Sequence, residues 1–417
     1  MIPASLYCTV HIAYYLWYGN PVHDGKWMHW DHKTLPHWDP KVDQRHEHKT
    51  RHAPEQDRGH AKYRPLRGWY SSRDSAVMEE HMRELASMDI DSFMFSWWGR
   101  PDVSKRDDAD SGADTDQLVD MALQLGAKRG VKFSFHVEPY GGRSPETFRQ
   151  DGEYIAQKYL TALKSTSSPK SEGSSEHQNL AFFVYDVSSR HTPNLQEKLE
   201  WRQTLEYLRK LFTETYQVTP YFFCLWIENM RDVVFVKEVG FDGGYSYFAA
   251  NGFTPASSPA ANWEQMPVDH FVPSVGPGYD DVRIRPWNAH NVRPRRESAY
   301  YDDMWQRAMP FNMVTITSYN EWGESTQIEP AFDFKNVSSA GAVDEEALGS
   351  AALASASSSA SSYYDQYPEN NAYFYTDRTR AWVQRYKAEC RNRLGIDSDD
   401  RVVDSGKNLA DKKAEEL

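Results

Sequence analysis

Eight short segments of this 417-residue chain have the composition of buried β-strands, and their recurrence constrains the fold more than any other feature. Each is rich in β-branched and aromatic residues without strict alternation of polar and apolar positions, which is typical of strands covered on both faces. The segments are VHIAYYLW (10–17), DSFMFSWW (91–98), VKFSFHVE (131–138), LAFFVYDV (180–187), YFFCLWIE (221–228), FDGGYSYF (241–248), HFVPSVG (270–276) and FNMVTITSYN (311–320).

Helical patterns occupy most of the intervals between these segments. DSAVMEEHMRELASM (74–88) begins with Asp74 as a cap and repeats apolar residues at helical spacing. Similar patterns cover 115–130, 145–163, 194–213, 299–309 and 372–394, whereas the interval 228–241 is short. Eight buried strands alternating with helices predict an α/β chain folded as a single (β/α)8 TIM barrel. The alternative is a doubly wound open sheet, which is less favoured because no Gly-rich dinucleotide loop follows the first strand.

Four segments depart from this alternation. Residues 19–70 form a long excursion after the first strand, rich in His, Trp and Pro and too long for an idle connection. The Ser-rich stretch 164–179 and the Ala/Ser-rich stretch 337–364 predict flexible insertions, the second of them after the last strand. We expect one barrel domain with long βα loops over residues 1–395, followed by a charged, disordered tail over 396–417.

Charge, hydropathy and cysteine content exclude several classes of protein. The formal net charge of −13 argues against a nucleic-acid partner, whose phosphates need a basic surface. No apolar run is long enough to cross a membrane, and the N-terminus MIPASLYCTV lacks the regions of a signal peptide. Cys8, Cys224 and Cys390 are odd in number and widely spaced, which indicates neither a disulfide framework nor a zinc site and leaves the redox compartment open.

The ends of the predicted strands carry a common chemistry. The active site of a (β/α)8 barrel lies at the C-terminal ends of its strands, and almost every predicted strand here ends in an aromatic residue or a carboxylate. These ends are Trp17–Tyr18, Trp97–Trp98, His136–Glu138, Tyr185–Asp186, Glu228–Asn229, Tyr247 and Asn320–Trp322. Aromatic rings stack on sugar faces, and carboxyl groups protonate a leaving oxygen and stabilise an oxocarbenium-like state. This set therefore predicts a glycoside-cleaving enzyme.

The stretch SYNEWGESTQIEP (318–330) places Glu321, Glu324 and Glu329 close together behind the last strand. Such carboxylates can mark a solvated helix start, where they complement the helix dipole. The alternative is a pair of carboxyl groups that act as acid and base on one substrate. This stretch of sequence alone does not decide between the two interpretations.

Histidines raise the alternative of a metal site. They crowd the first excursion at His23, His29, His32, His37 and in HEH (46–48). No third ligand follows at zinc spacing, and the interleaved Trp residues favour packing or contact with sugar. We therefore expect no metal and no cofactor.

Six blocks of this sequence resemble the endo-α-1,2-mannosidases, glycoside hydrolase family 99. They are WYGNPVHDGKWMHWDHKTLPHWDP (17–40), SSRDSAVMEEHM (71–82), FHVEPYGGR (135–143), GFDGGYSYFA (240–249), PSVGPGYDDVRIRPWN (273–288) and NEWGESTQIEP (320–330). The resemblance covers about residues 10–335 and the terminal helix. It implies a (β/α)8 barrel of retaining enzymes that need no metal and cleave internal α-mannosidic bonds.

The resemblance also implies roles for individual residues. Glu321 corresponds to a base that acts on the sugar's own 2-hydroxyl, whose oxygen then forms a 1,2-anhydro sugar. Glu324 corresponds to the acid that protonates the leaving oxygen and later activates water, and crowding by neighbouring carboxylates helps to keep it protonated. The expected substrate contacts are Tyr15, Trp17, Tyr18, Trp97, Trp98, His136, Glu138, Tyr185, Tyr247, Arg285, Trp287, Asn320 and Trp322.

Two positions receive a more specific interpretation. Trp98 corresponds to the wall of the next subsite outward, where members of the family carry either Tyr or Trp. Glu329 is interpreted instead as a structural hydrogen-bond acceptor.

The implied partner is an α-mannoside, either a glucosylated high-mannose N-glycan in the Golgi or secretory pathway, or a mannan-like glycan. We expect a monomer. Two alternatives remain open: a barrel glycosidase of other specificity, such as an α-glucanase, and a glycan-binding pseudoenzyme without activity. Retention of both Glu321 and Glu324 speaks against the second.

Overall fold

The computed structural model describes residues 1–37, 39–46, 52, 54, 59–101, 114–160, 178–226, 229–247, 263, 266–332, 367 and 371–396. The predicted insertion 164–179 lies outside this part of the chain except for Gln178 and Asn179, which begin a strand. The predicted insertion 337–364 and the tail from 397 onward also lie outside the described residues.

The strands form one parallel sheet and a small antiparallel pair. In chain order they are β1 Thr9–Tyr14, β2 Arg64–Pro65, β3 Ser92–Trp97, β4 Lys132–Val137, β5 Gln178–Val184, β6 Val218–Leu225, β7 Gly243–Tyr245, β8 Phe271–Val272, β9 Ser274–Val275, β10 Met313–Ile316 and β11 Ala331–Phe332. The parallel sheet has the order β8-β7-β6-β5-β4-β3-β1-β10-β9, while β2 pairs with β11.

The parallel sheet closes on itself. Only Pro273 separates β8 from β9, so these two pieces form one interrupted strand between β7 and β10. Each of the eight predicted strands is present, and the predicted (β/α)8 barrel is confirmed. Most strands end before the predicted boundary, because their last residues leave the sheet for the loops that form one end of the barrel.

Helices surround the barrel. They are α1 Pro21–Asp24, α2 Pro40–Asp43, α3 Ser75–Ser87, α4 Val119–Lys128, α5 Pro145–Ile155, α6 Leu195–Lys210, α7 Asn229–Val239, α8 Ala299–Ala308 and α9 Phe374–Leu394. The predicted cap Asp74 accepts a hydrogen bond from the backbone N–H of Ala76. Helix α7 occupies the interval that looked short in the sequence.

A disulfide joins the two ends of the described chain. Cys8, just before β1, is bonded to Cys390 in α9, and their Cα atoms lie 5.6 Å apart. The cysteine spacing, which indicated no disulfide framework, did not reveal this single bond. A separation of 382 residues hides the pair from any reading of local spacing. Cys224 is a buried free thiol in β6.

Candidate active site

The loop between β10 and β11 carries both predicted catalytic glutamates. All of its residues from 317 to 330 are buried, which requires the loop to satisfy its own backbone groups. It does so by folding back on itself: the backbone N–H of Ser318 donates to the carbonyl of Thr326 at 3.0 Å, and that of Glu329 donates to Tyr319 at 2.9 Å. The glutamates are thus held on a fixed support.

Glu321 and Glu324 are buried together, with exposed fractions of 4% and 8%. Oε1 of Glu321 accepts the backbone N–H of Gly323 at 2.9 Å. Oε1 of Glu324 accepts Nη1 of Arg285 at 3.0 Å, whereas Oε2 of Glu324 is buried without a hydrogen-bond partner among the described residues. One carboxyl oxygen of Glu324 is therefore available to a ligand.

The electrostatics of the two carboxyl groups favour their protonated forms. Burial, followed by the charge of Glu324, raises the pKa of Glu321 well above its usual value of 4.5. Burial raises the pKa of Glu324 to about 7, against the opposing charge of Arg285. Two interacting buried carboxyl groups do not ionise together, so the pair holds a proton near neutral pH. A solvated helix start would not behave in this way.

A second group of predicted residues lies at the ends of β3 and β4. Nδ1 of His136 lies 2.7 Å from Oε1 of Glu138, and Oγ of Ser96 donates to the same oxygen at 2.7 Å. Nε1 of Trp98 donates to Ser96 at 3.1 Å. The charge of Glu138 also raises the pKa of Glu324, although less than burial does. This group therefore lies close to the predicted catalytic pair.

Aromatic residues continue the wall of the same bowl. The ring of Tyr247 stacks on His136 with centroids 4.8 Å apart and meets the edge of Tyr185 at 5.4 Å. After burial, the charge of Glu324 is among the causes that raise the pKa of both tyrosines.

Trp17 extends the wall at the end of β1. It stacks on Tyr15 at 4.6 Å, and its centroid lies 6.5 Å from that of Trp98. The hydroxyl of Tyr15 and Nε1 of Trp17 are buried without hydrogen-bond partners in the described part of the chain. Such polar atoms are expected where a hydroxyl-rich ligand completes the site.

Trp97 points away from this bowl, contrary to the sequence expectation. Successive residues of a strand face opposite sides of the sheet, and Ser96 faces Glu138. Nε1 of Trp97 instead donates to Asp116 at 3.0 Å, and its ring stacks on Tyr154 of α5. The side chain packs between the sheet and its helices and is not placed to touch substrate.

Four further predicted contacts support the catalytic loop or its neighbours. Nε1 of Trp322 donates to Glu329 at 3.1 Å, and Nε1 of Trp287 donates to the carbonyl of Leu35 at 3.2 Å. The hydroxyl of Tyr18 donates to the carbonyl of Asn320 at 2.9 Å, and the side chain of Asn320 bonds the backbone of Tyr15 at the end of β1. These hydrogen bonds are made within the protein, and substrate contact by these four residues stays a prediction.

Glu329 has the structural role predicted for it. It is fully buried, and it accepts the hydroxyl of Tyr70 at 2.8 Å and lies 3.0 Å from Nε2 of His81. Sequence analysis did not identify His81, which lies in the block that contains α3, or Tyr70, which ends the excursion 19–70. Their function is to hold the base of the loop.

The sequence reading also missed Asp281. Its carboxylate lies 3.0 Å from Nη1 of Arg285, the same nitrogen that contacts Glu324. The spacing of four residues between Asp281 and Arg285 was the only local sequence feature that indicated their ion pair.

Within the described ranges, no three His, Cys, Asp or Glu side chains are placed to hold a metal ion. No helix in those ranges is long and apolar enough to cross a membrane.

Comparison with known proteins gives a consistent result. The family profile of Glycosyl hydrolase family 99 matches residues 5–351. A glycoprotein endo-alpha-1,2-mannosidase of Rattus norvegicus is 34% identical over 391 residues, which cover 91% of this chain and 75% of that protein. A glycoprotein endo-alpha-1,2-mannosidase-like protein of Danio rerio is 37% identical over 344 residues, covering 80% and 73%. The structure of the GH99 endo-alpha-mannosidase from Bacteroides thetaiotaomicron matches with a TM-score of 0.68 and 29% identity, covering 92% of this chain and 99% of that one.

Proposed function

This chain belongs to glycosyl hydrolase family 99 and is a glycoside hydrolase of mannose-containing glycans, and we propose that it hydrolyses an internal α-1,2-mannosidic bond with retention of configuration. The observation that carries the proposal is the buried pair of Glu321 and Glu324, whose pKa values burial raises, with one oxygen of Glu324 lacking a hydrogen-bond partner among the described residues.

In the first step Glu321 accepts the proton of the 2-hydroxyl of the mannose to be cleaved. The freed O2 attacks C1, the bond from C1 to the leaving oxygen breaks, and Glu324 gives its proton to that oxygen. The products are a 1,2-anhydro sugar and the released glycan. Substrate itself supports this division of the shared proton, because a 2-hydroxyl donating to Glu321 favours its ionised form and a leaving oxygen accepting from Glu324 favours its protonated form.

In the second step Glu324 removes a proton from water, and the water oxygen attacks C1. The bond from C1 to O2 breaks, and O2 recovers a proton from Glu321. Two inversions at C1 give net retention. Arg285 supports this step because it contacts the carboxylate that Glu324 becomes after the first step.

The remaining polar groups of the bowl are proposed to orient the sugar. Tyr15 and Trp17 present unsatisfied polar atoms, and rings of Tyr247 and Trp98 offer flat apolar faces to sugar C–H groups. His136 and Glu138 form a coupled pair that can contact hydroxyl groups of the cleaved mannose.

We further propose that residues 1–395 act as one catalytic domain, as a monomer without cofactor, in the lumen of the secretory pathway. The Cys8–Cys390 disulfide supports an oxidising compartment, where such bonds persist. Light scattering of the purified chain tests the monomer, and fractionation with a lumenal marker tests the compartment.

The decisive experiment is incubation with glucosylated and unglucosylated high-mannose glycan, followed by identification of the released fragment. Release of a di- or oligosaccharide that was attached to the glycan through an α-1,2 bond, and whose new reducing end first appears as the α-anomer in NMR, supports the proposal. Cleavage of α-glucan alone would replace it with the alternative specificity. Binding of high-mannose glycan without any cleavage would indicate a pseudoenzyme.

A further inference from the structure

Asp281 lies at the centre of a buried hydrogen-bond network behind the catalytic pair. Its carboxylate is fully buried. It accepts the hydroxyl of Tyr279 at 2.8 Å, Nη1 of Arg285 at 3.0 Å, and Nδ2 of Asn288 at 3.0 and 2.9 Å. All three donors come from the same stretch of chain as Asp281, which indicates a preformed support.

Nη1 of Arg285 forms ion pairs with two carboxylates. It lies 3.0 Å from Oδ2 of Asp281 and 3.0 Å from Oε1 of Glu324. A guanidinium group shared in this way stabilises the ionised form of each carboxylate less than it would stabilise one partner alone. The second negative charge also opposes ionisation of the first.

We propose that Asp281 is a positioning residue that holds Arg285 and shares its charge, so that Glu324 keeps its proton at neutral pH. The inference rests on the acid/base role proposed above for Glu324. It assigns to Asp281 no contact with substrate. Two opposing demands explain the arrangement: Glu324 needs a proton in the first step and a cation beside it once the proton has gone.

The other charged and titratable groups that face Glu324 come from several elements. Glu321 lies on the same loop and Glu138 follows β4, and both are acidic. The tyrosines facing it are Tyr185, Tyr247 and Tyr279, whose pKa values are raised well above 10 by burial first, so they stay neutral near pH 7. Arg285 is therefore the cation that contacts Glu324 in this group, and Asp281 competes for it.

The direction in which the pKa of Glu324 is shifted agrees with the proposal. The pKa of Glu324 is raised to about 7, where burial and Asp281 raise it and Arg285 lowers it. When the charge of Asp281 is removed, Glu324 is the only carboxylate of the two that still forms an ion pair with Nη1 of Arg285. We expect this change to lower the pKa of Glu324 by about one pH unit, the lower end of the effect of a charge within a few ångströms.

The test is a titration of Glu324 by 13C NMR in protein labelled with [δ-13C]glutamate, with Glu324→Gln identifying the resonance. Asp281→Asn should move the titration midpoint of Glu324 down by about one pH unit. Asp281→Ser, equally uncharged but smaller, is measured in parallel so that a folding defect of one variant does not decide the outcome. Because the readout needs no substrate, its result is distinct from failure of the proposed mannosidase activity.

Two controls separate charge from structure. Tyr279→Phe removes a donor to Asp281 but keeps its charge, so the midpoint of Glu324 should stay within a few tenths of a pH unit. Asp302→Asn removes a carboxylate from an ion pair with Arg378 that joins α8 to α9, and it should leave the midpoint unchanged. Unchanged midpoints in both Asp281 variants, or an equal fall in Tyr279→Phe, would overturn the inference.

The pH profile of turnover provides the functional readout. In the parent, kcat/KM should fall above about pH 7 as Glu324 loses its proton. In Asp281→Asn this fall should begin about one pH unit lower, while kcat/KM at pH 5 stays within a few-fold of the parent. Equal loss at every pH would mean that Asp281 is only structural.

Discussion

Tyr15 and Asn320 exchange two hydrogen bonds across 305 residues of sequence. The backbone N–H of Tyr15 donates to Oδ1 of Asn320 at 2.8 Å, and Nδ2 of Asn320 donates to the carbonyl of Tyr15 at 2.9 Å. The end of β1 is thereby tied to the residue before Glu321. A side chain that imitates a strand partner aligns the catalytic loop with the aromatic wall.

Asn320→Ala should reduce both stability and turnover. It leaves two buried backbone groups of Tyr15 unsatisfied, at a cost of about 1–3 kcal/mol each before water enters the gap. Thermal unfolding and kcat on the natural glycan measure the effect. Asn20→Ala, which removes the half-buried cap of α1 and its hydrogen bond to the carbonyl of Trp69, is the control and should cost about 0.5–2 kcal/mol with kcat unchanged. Equal loss of kcat in both variants would contradict a specific role for the Tyr15–Asn320 link.

Glu324→Gln and Glu321→Gln should differ in their dependence on the leaving group. Loss of the acid should reduce cleavage of unactivated glycan about 10²- to 10⁴-fold but spare the first step for a substrate with an excellent leaving group. Loss of the base should reduce cleavage of both substrates, because attack by O2 is needed in either case. Single-turnover rates on the two substrates measure the difference, and normal turnover of natural glycan by Glu324→Gln would remove that residue from the mechanism.

The free energy of unfolding of the parent should depend on pH because the pKa of Glu324 is raised in the folded state. A carboxyl group whose folded pKa is raised binds its proton more tightly in the folded than in the unfolded state, so stability is highest below the unfolded pKa and falls as pH rises through the folded value. For Glu324 that window runs from 4.5 to about 7. Glu324→Gln should therefore gain stability relative to the parent between pH 5 and pH 8, by at most about 3 kcal/mol, seen as a higher relative unfolding temperature at pH 8. A difference independent of pH would contradict the raised pKa.

Reduction of the Cys8–Cys390 disulfide should lower the melting temperature. The bond restricts the unfolded chain over nearly its whole length, and removal of a native disulfide typically costs about 2–5 kcal/mol. Cys8→Ser and Cys390→Ser should each produce the loss, the double variant should add nothing further, and dithiothreitol should affect only the parent. A parent insensitive to reductant would contradict a stabilising role.

Trp98 should influence which sugar is accepted beyond the cleaved mannose. Its Nε1 already donates to Ser96, so the ring offers mainly an apolar wall, whereas Tyr would offer a hydroxyl that both donates and accepts. We expect mannose-capped substrates to be cleaved at least as well as glucose-capped ones, and Trp98→Tyr to change the ratio of kcat/KM a few-fold, the effect of about 0.5–1.5 kcal/mol from one hydrogen bond. Strong preference for glucose in the parent, unchanged by the substitution, would contradict this expectation.

Local patterns in the chain were enough to predict the barrel. Segments such as 131–138 and the helix capped by Asp74 depend on burial of neighbouring side chains and on hydrogen bonds within a few residues, which composition and spacing report directly. The blocks around Glu321 and Glu324 were likewise readable as short contiguous stretches. Exact strand ends were not, because a residue leaves the sheet only when the neighbouring strand no longer offers a partner.

Contacts between distant residues were decided only by the closed barrel. Composition could not tell that Trp97 faces the helices while Ser96 faces Glu138, since a shift of one residue along a strand reverses its face. Nor could it pair Cys8 with Cys390, or place Asp281 and Glu324 on the same nitrogen of Arg285. These relationships depend on how strands and loops far apart in sequence meet at one end of the barrel. The raised pKa values of Glu321 and Glu324 depend on the same packing of distant strands and loops, because their burial and their neighbouring charges exist only in the folded barrel.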